Sequence, residues 1–328
     1  MAEYTKPWLS VDEQIERLVD HGVEVGDRGR ASTFLHAIGY YRLTGYLYPF
    51  RESEQYVDDD GRSRTRVLSR YRPGTTLRHA EEIISFDRRL RMLVMEGVER
   101  IEVAVRMRIG HVLGRSSPFA HEDPGCFTST FTAASTDTRM PAPSKHVQWL
   151  QRVNVRRASS DEQFVEHFRE KYDGRMPIWA LTEILELGHL SLLYTGMNQK
   201  EAEEIATVFD VPTKKLMASW LASLNYVRNV AAHHARLFNR KLQNAPSRPK
   251  VGQIPVLDHL RNEESAKGAF GTYNALAVIA HLLPSIEPDN EWTPQVANLL
   301  REFPTSGALT LKSMGTPQDW ESLDLWHS

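Results

Sequence analysis

The sequence of 328 residues predicts a mainly α-helical protein, and two stretches carry that reading. Over 77–113, Ile83, Phe86, Leu90, Val94, Val98, Ile101, Val105 and Val112 recur on one face at helical spacing. Over 213–240, Leu216, Trp220, Leu224, Val227, Ala231, His234 and Phe238 fall within about 80° of one another on a helical projection and define a buried stripe. Only the segment from Asp58 to Gly74, with Arg62, Arg64, Arg66, Arg70 and Arg72, reads instead as a loop or small β-hairpin with a basic edge.

In chain order, a first amphipathic helix is expected from Ser10 to His21, because Ser10 followed by Glu13 makes a capping box. The aromatic run from Ile38 to Phe50 reads as a packed turn between helices with half-buried tyrosines. Its sharper alternative is a stacking platform for unpaired bases. The long helix follows, and a projection at ~100° per residue puts Asp87 and Arg108 on or beside its apolar stripe, with Arg88, Glu99 and Arg106 pointing away. A core-facing Asp87 requires a partner, for which Arg91 one turn on is suited.

Gly114 to Ser144 is rich in Ser, Thr, Pro and Gly and reads as an excursion with little regular structure. Short helices are expected near 145–156, 161–172, 178–188, 191–197 and 199–209. The second long helix begins at Thr213, which caps it after Pro212, and runs to Arg240. Gln243 to Pro255 reads as loop, and helices near 268–283 and 293–303 close the core. This order suggests an N-terminal segment 1–76, a helical core 77–283 and a C-terminal helix and tail 284–328.

Composition narrows the function. With 41% hydrophobic and 25% charged residues the chain is an ordinary globular protein, and its net charge of −2 argues against a generic nucleic-acid coat. A single cysteine, Cys126, excludes an intrachain disulfide and a thiolate metal cluster. No apolar run reaches the roughly 18 residues of a membrane span, and the opening Met1–Pro7 lacks a secretory pattern, so a cytoplasmic protein without membrane attachment is expected. Neither a phosphate-binding glycine loop nor a His or Cys metal spacing appears, so no cofactor and no metal are expected.

Opposite the buried stripe of the 213–240 helix lies a ribbon of Asn225, Asn229, His233, Arg236 and Arg240, with no acid in it. Asn and His are mediocre helix formers, so such a face suits a phosphate better than plain solvation. RNA is cleaved without metal when its 2′-hydroxyl attacks the adjacent phosphate, which needs an acid or base titrating near neutrality and a cation for the phosphorane. In that reading Arg228, Asn229 and His233 are catalytic: His233 is the acid or base, Arg228 holds the phosphate, and Asn229 fixes His233 by a side-chain hydrogen bond. Arg236, Arg240 and Asn225, with Arg64, Arg66 and Arg70 of the hairpin, would bind RNA. His234 projects into the stripe and reads as a core histidine. Arg228 lies about 140° around the helix from His233, so two copies meeting across a two-fold axis would complete the site. The same residues also suit a non-catalytic RNA-binding module or a structural dimer interface.

Three motifs, Gly39-Tyr40-Tyr41-Arg42-Leu43-Thr44-Gly45-Tyr46, Phe86-Asp87-Arg88-Arg89-Leu90-Arg91 with Ile101-Glu102-Val103-Ala104-Val105-Arg106, and Arg228-Asn229-Val230-Ala231-Ala232-His233-His234-Ala235-Arg236-Leu237-Phe238-Asn239-Arg240, make nearly the whole chain resemble the Abi-like abortive-infection proteins of the AbiD and AbiF group. The helical core of that group belongs to the HEPN superfamily. The resemblance implies an HEPN-like bundle with an N-terminal extension, and maps the superfamily's Arg-x4-6-His motif onto Arg228 and His233. It further implies a metal-independent endoribonuclease with a composite site at a homodimer interface, acting as a toxin in antiphage defence or a toxin–antitoxin system. A regulatory or guide non-coding RNA is implied as a partner beside the substrate RNA.

Overall fold

The structure, a computed structural model, describes residues 3, 5, 7–134, 142–261 and 270–327. It is predominantly helical, with one two-stranded sheet among the described residues. The chain divides into two compact units, one of residues 1–90 and 298–313, the other of 91–297 and 314–328.

In the first unit, α1 (Val11–Asp20) starts on the expected capping box: Ser10 Oγ accepts from the Glu13 N–H and the Glu13 carboxylate accepts from the Ser10 N–H. Asp27 caps α2 (Arg28–Ile38) by accepting from the Arg30 N–H at 2.6 Å. Gly39, at φ 82, is the hinge into α3 (Tyr40–Leu47), a turn that a side chain would strain. The aromatic run expected to be a packed turn is therefore itself mostly helix. Its tyrosines are sorted by that helix: Tyr46 is buried, Tyr40 is half-buried and Tyr41 is 78% exposed. Burying a phenol requires a partner for its hydroxyl, and Tyr46 donates to the fully buried Asp87 Oδ2 at 2.6 Å.

The expected hairpin forms, with β1 (Arg51–Val57) antiparallel to β2 (Ser63–Tyr71). Its turn is tied by Asp58, whose Oδ1 accepts from the backbone N–H groups of Asp60 and Arg62. The long helix is α4 (Leu77–Gly114), and every residue of its anticipated stripe is buried. Its first turns belong to the first unit, where Phe86 meets Phe303 edge-on with ring centroids 4.9 Å apart.

The second unit takes in the rest of α4, then α5 (Ser129–Thr132), α6 (Lys145–Ala158), α7 (Gln163–Tyr172), α8 (Ile178–Leu181), α9 (Leu187–Gly196), α10 (Gln199–Val208), α11 (Lys214–Ala232) and α12 (Thr272–Leu282), and α13 (Trp292–Arg301) begins in it. The helix anticipated over 178–188 is divided: α8 tightens into a 3₁₀ turn at Thr182–Ile184 and α9 restarts at Leu187. Nearly every residue of α12 is buried, the mark of a central helix. α9 packs on α11, and Gly188 permits the approach: a Cβ there would sit 3.3 Å from the Asn225 side chain. Trp292 anchors α13 by donating from Nε1 to the Leu93 carbonyl at 2.7 Å. No helix of the described residues is long and apolar enough to cross a membrane.

Candidate functional site

Thr213 begins α11 as anticipated, its hydroxyl accepting from the Leu216 N–H. The other end differs. α11 stops at Ala232, and His233 is its C-cap. His234 adopts the left-handed conformation, φ 55, and the chain reverses: the His234 N–H donates to Ala231 O and the Ala235 N–H to Val230 O, both at 3.0 Å. These two bonds close a Schellman turn around a non-glycine residue. Leu237 and Phe238 then return to the core, and the Thr272 hydroxyl donates to Leu237 O at 2.7 Å.

That ending corrects two expectations. His234 is exposed, not a core histidine, because it sits at the apex of the reversal. The ribbon of five does not lie on one helix either: Asn225 and Asn229 are on α11, His233 caps it, and Arg236 and Arg240 follow the turn, where Arg240 Nε donates to Arg236 O at 2.8 Å. Asn225 is half-buried against Gly188.

Asn229 also acts on a different neighbour from the one expected. Its Oδ1 accepts from Arg228 Nη1 at 3.2 Å. The His233 ring is exposed and makes no hydrogen bond among the described residues.

Arg228 lines a cavity of about 160 Å³ with Met95, Glu99, Glu102, Val103 and Arg106 of α4. Glu102 is the acid that the α11 ribbon lacks. It is only 8% exposed, and accepts from Arg106 Nη2 at 3.0 Å and from the Leu187 N–H at the start of α9. Burial pushes its carboxyl above the usual carboxylate range, while the Arg106 and Arg228 guanidiniums pull it back. Arg106, expected to point to solvent, folds inward, because a long side chain can cover distance that a helical projection ignores. Its Nη2 also donates to Leu185 O at 2.9 Å, and its buried Nε has no partner among the described residues.

Glu102 and Arg106 were legible only as an i,i+4 pair on the long helix; nothing local linked them to Arg228. Together the three groups form a half-closed charged cluster in which one buried acid bonds to Arg106 and attracts Arg228 through space. Among the described residues, no three His, Cys, Asp or Glu side chains are grouped as a metal site would need.

The hairpin arginines are unequal. Arg64 pairs with Asp58 at 2.8 Å, Arg66 pairs with Glu54 and Arg62 lies 3.9 Å from Asp60. Arg70 is exposed and makes no such contact among the described residues.

The profile of the family described as Abi-like protein matches residues 33–239, from α2 through the turn after His233. No curated protein and no solved structure matches the chain.

Proposed function

Because the chain belongs to the Abi-like protein family, we propose that it acts in abortive infection as a metal-independent RNA endonuclease of the HEPN type. The observation that supports this best is the contrast on one helix end. Arg228 is bonded to Asn229 and attracted by the buried Glu102, whereas His233, five residues on, is exposed and its ring makes no hydrogen bond among the described residues.

A group that moves protons needs access to substrate and freedom from competing bonds, and a group that stabilises charge needs fixed geometry. In the reaction, the RNA 2′-hydroxyl attacks the adjacent phosphorus, forming a 2′-O–P bond as the P–O5′ bond breaks. One imidazole takes the 2′ proton and an imidazolium supplies a proton to the departing 5′ oxygen. Arg228 neutralises the phosphorane, and Asn229 positions Arg228. Arg228 and His233 are about 140° apart around the axis, so the site is composite, with the histidine of one copy serving the arginine of the other. Arg236, Arg240 and Asn225 extend RNA contact beside it, and Arg70 leads on the hairpin.

Purified wild type, Arg228→Ala and His233→Ala are incubated with labelled RNA in EDTA. Cleavage by wild type alone, with RNA still bound by His233→Ala, supports the nuclease. No cleavage by any of the three, with binding lost in His233→Ala, replaces it by an RNA-binding module that grips a structured or guide RNA.

A further inference from the structure

In the first unit, both strands and the helices beside them bring a basic and aromatic cluster to one place. α1 supplies Arg17 and its cap His21, the start of α3 supplies Tyr40 and Tyr41, and Tyr48 follows α3. Arg51 opens β1 and Tyr71 closes β2 as its register partner, and the Tyr71 N–H donates to His21 O at 2.8 Å, which ties the sheet to α1. The Arg51 guanidinium carbon lies 5.6 Å from the ring centroids of both Tyr48 and Tyr71. Tyr40 and Tyr41 meet edge-on with centroids 6.0 Å apart, and Arg17, Arg51 and Tyr71 all act electrostatically on the Tyr40 phenol.

This corner holds more donors than its own chain uses. Tyr71 is only 3% exposed, and its buried hydroxyl has no partner among the described residues. The buried Nε of Arg51 has none either, and neither the Arg51 nor the Arg17 side chain makes an ion pair or a hydrogen bond among the described residues. Other arginines of the same unit are paired: Arg28 with Glu16, Arg30 with Glu81, Arg64 with Asp58 and Arg66 with Glu54. The local field is positive, because the His21 imidazole is held below its usual range by burial and then by Arg17 and Arg51, against the lesser pull of Asp20. A guanidinium stacked on a ring gains from the ring face. That contact still leaves buried N–H and O–H donors unsatisfied, which native folds seldom keep without a use.

We infer that this corner binds the phosphate monoester of a nucleotide, with Arg17 and Arg51 holding the phosphate, the Tyr40 and Tyr71 hydroxyls donating to it, and the base stacked on Tyr41. Two guanidiniums match a monoester, whose charge at neutral pH is about −1.5 to −2, better than the single charge of a chain phosphodiester. Burial of the Tyr71 hydroxyl points the same way, because a terminal phosphate can enter a recess that a continuing strand would have to cross. Tyr41, 78% exposed, offers a flat face beside the phosphate, and any base can stack on it. A free mononucleotide and the 5′ end of an RNA present the same group. The site uses none of the residues of the Arg228 and His233 pair and does not rest on RNA cleavage.

Calorimetric titration of the full chain in EDTA tests it. The probes are AMP, adenosine, inorganic phosphate, and a short 2′-O-methyl oligonucleotide with and without a 5′-phosphate, which has no 2′-hydroxyl to attack. AMP or the phosphorylated oligonucleotide is expected to bind with a Kd below ~1 mM, and its counterpart without phosphate ~10-fold or more weakly. Arg17→Met and Arg51→Met each weaken binding ~10-fold or more, whereas Arg78→Met, paired with Glu82 on α4, leaves it unchanged. Tyr41→Ala weakens AMP and not inorganic phosphate. Tyr71→Phe separates binding from folding: it weakens the monoester several-fold while the urea midpoint stays or rises, because the hydroxyl it removes has no partner in the fold. AMP binding at least as tightly as the phosphorylated oligonucleotide supports the site and identifies a free nucleotide as its ligand. An oligonucleotide ~10-fold tighter than AMP supports it and identifies an RNA end. No binding of either monoester at millimolar concentration, binding indifferent to the phosphate, or binding unaffected by Arg17→Met and Arg51→Met overturns the inference.

Discussion

Arg228→Met removes a charge but keeps most of the apolar stem, and it separates what Arg228 does for the fold from what it does for RNA. In the wild type, Glu102 is buried and Arg106 and Arg228, in that order, offset the cost of its charge. Among the described residues Arg228 makes no direct ion pair with Glu102, so its attraction reaches the carboxylate through space. Arg228 is the weaker of two such contributors and is itself half-exposed, so its loss is expected to cost about 1–2 kcal/mol near pH 8. The sign with pH follows from Glu102. Its folded pKa is raised already, and the variant raises it further. A carboxyl raised in the fold contributes stability that is present below its unfolded pKa and lost as pH rises through the folded one. The destabilisation is therefore small near pH 4.5, where Glu102 holds its proton, and grows toward pH 8. Urea melts of wild type, Arg228→Met, Glu102→Gln and the double variant at both pH values measure it. A cost equal at the two pH values, or a double-mutant cycle without coupling at pH 8, refutes the role assigned to Glu102.

Other outcomes follow from single contacts. Tyr46→Phe leaves the buried Asp87 without the phenol's bond and is expected to lower stability by about 1.5–3 kcal/mol in urea melts. His121 is almost fully buried, and burial pushes its imidazole down to about 4. Because the fold prefers the neutral ring, stability is complete above the unfolded value of about 6.5 and falls by up to about 3 kcal/mol as pH drops to about 4. In His121→Gln that acid limb should flatten in the thermal midpoint. Arg70→Ala is expected to weaken RNA binding more than Arg64→Ala or Arg66→Ala, since those two are already paired with Asp58 and Glu54; equal effects in a filter-binding titration would remove Arg70 from the RNA surface.

Much of this was legible in the sequence because periodicity reports burial directly. The stripe of α4 was recoverable residue by residue, and Ser10 with Glu13 fixed the start of α1 from two side chains. The end of α11 was not. Phe238 is buried at a helical interval from Ala231, so the apolar period runs on although the backbone has already turned. The signal that normally marks such a turn is glycine, and here a histidine occupies the left-handed position. The tyrosine run misled for the opposite reason. Gly39 and Gly45 suggest a turn, yet only Gly39 takes a positive φ. Glu102 escaped notice because its partner Arg228 is far away in sequence, and spacing rules describe neighbours within one helix. Arg106 shows the limit of a projection, which fixes a Cα direction but not where a long side chain ends.

The central claim is that His233 and Arg228 cut RNA through its own 2′-hydroxyl, and the chemistry of the product ends tests it most directly. RNA digested by wild type in EDTA should carry 2′,3′-cyclic phosphate and 5′-hydroxyl ends, and a single 2′-deoxy substitution at the cut position should abolish that cut. Ends bearing 5′-phosphate, or a cut that persists at the deoxy position, would contradict the claim, because neither is compatible with attack by the 2′ oxygen.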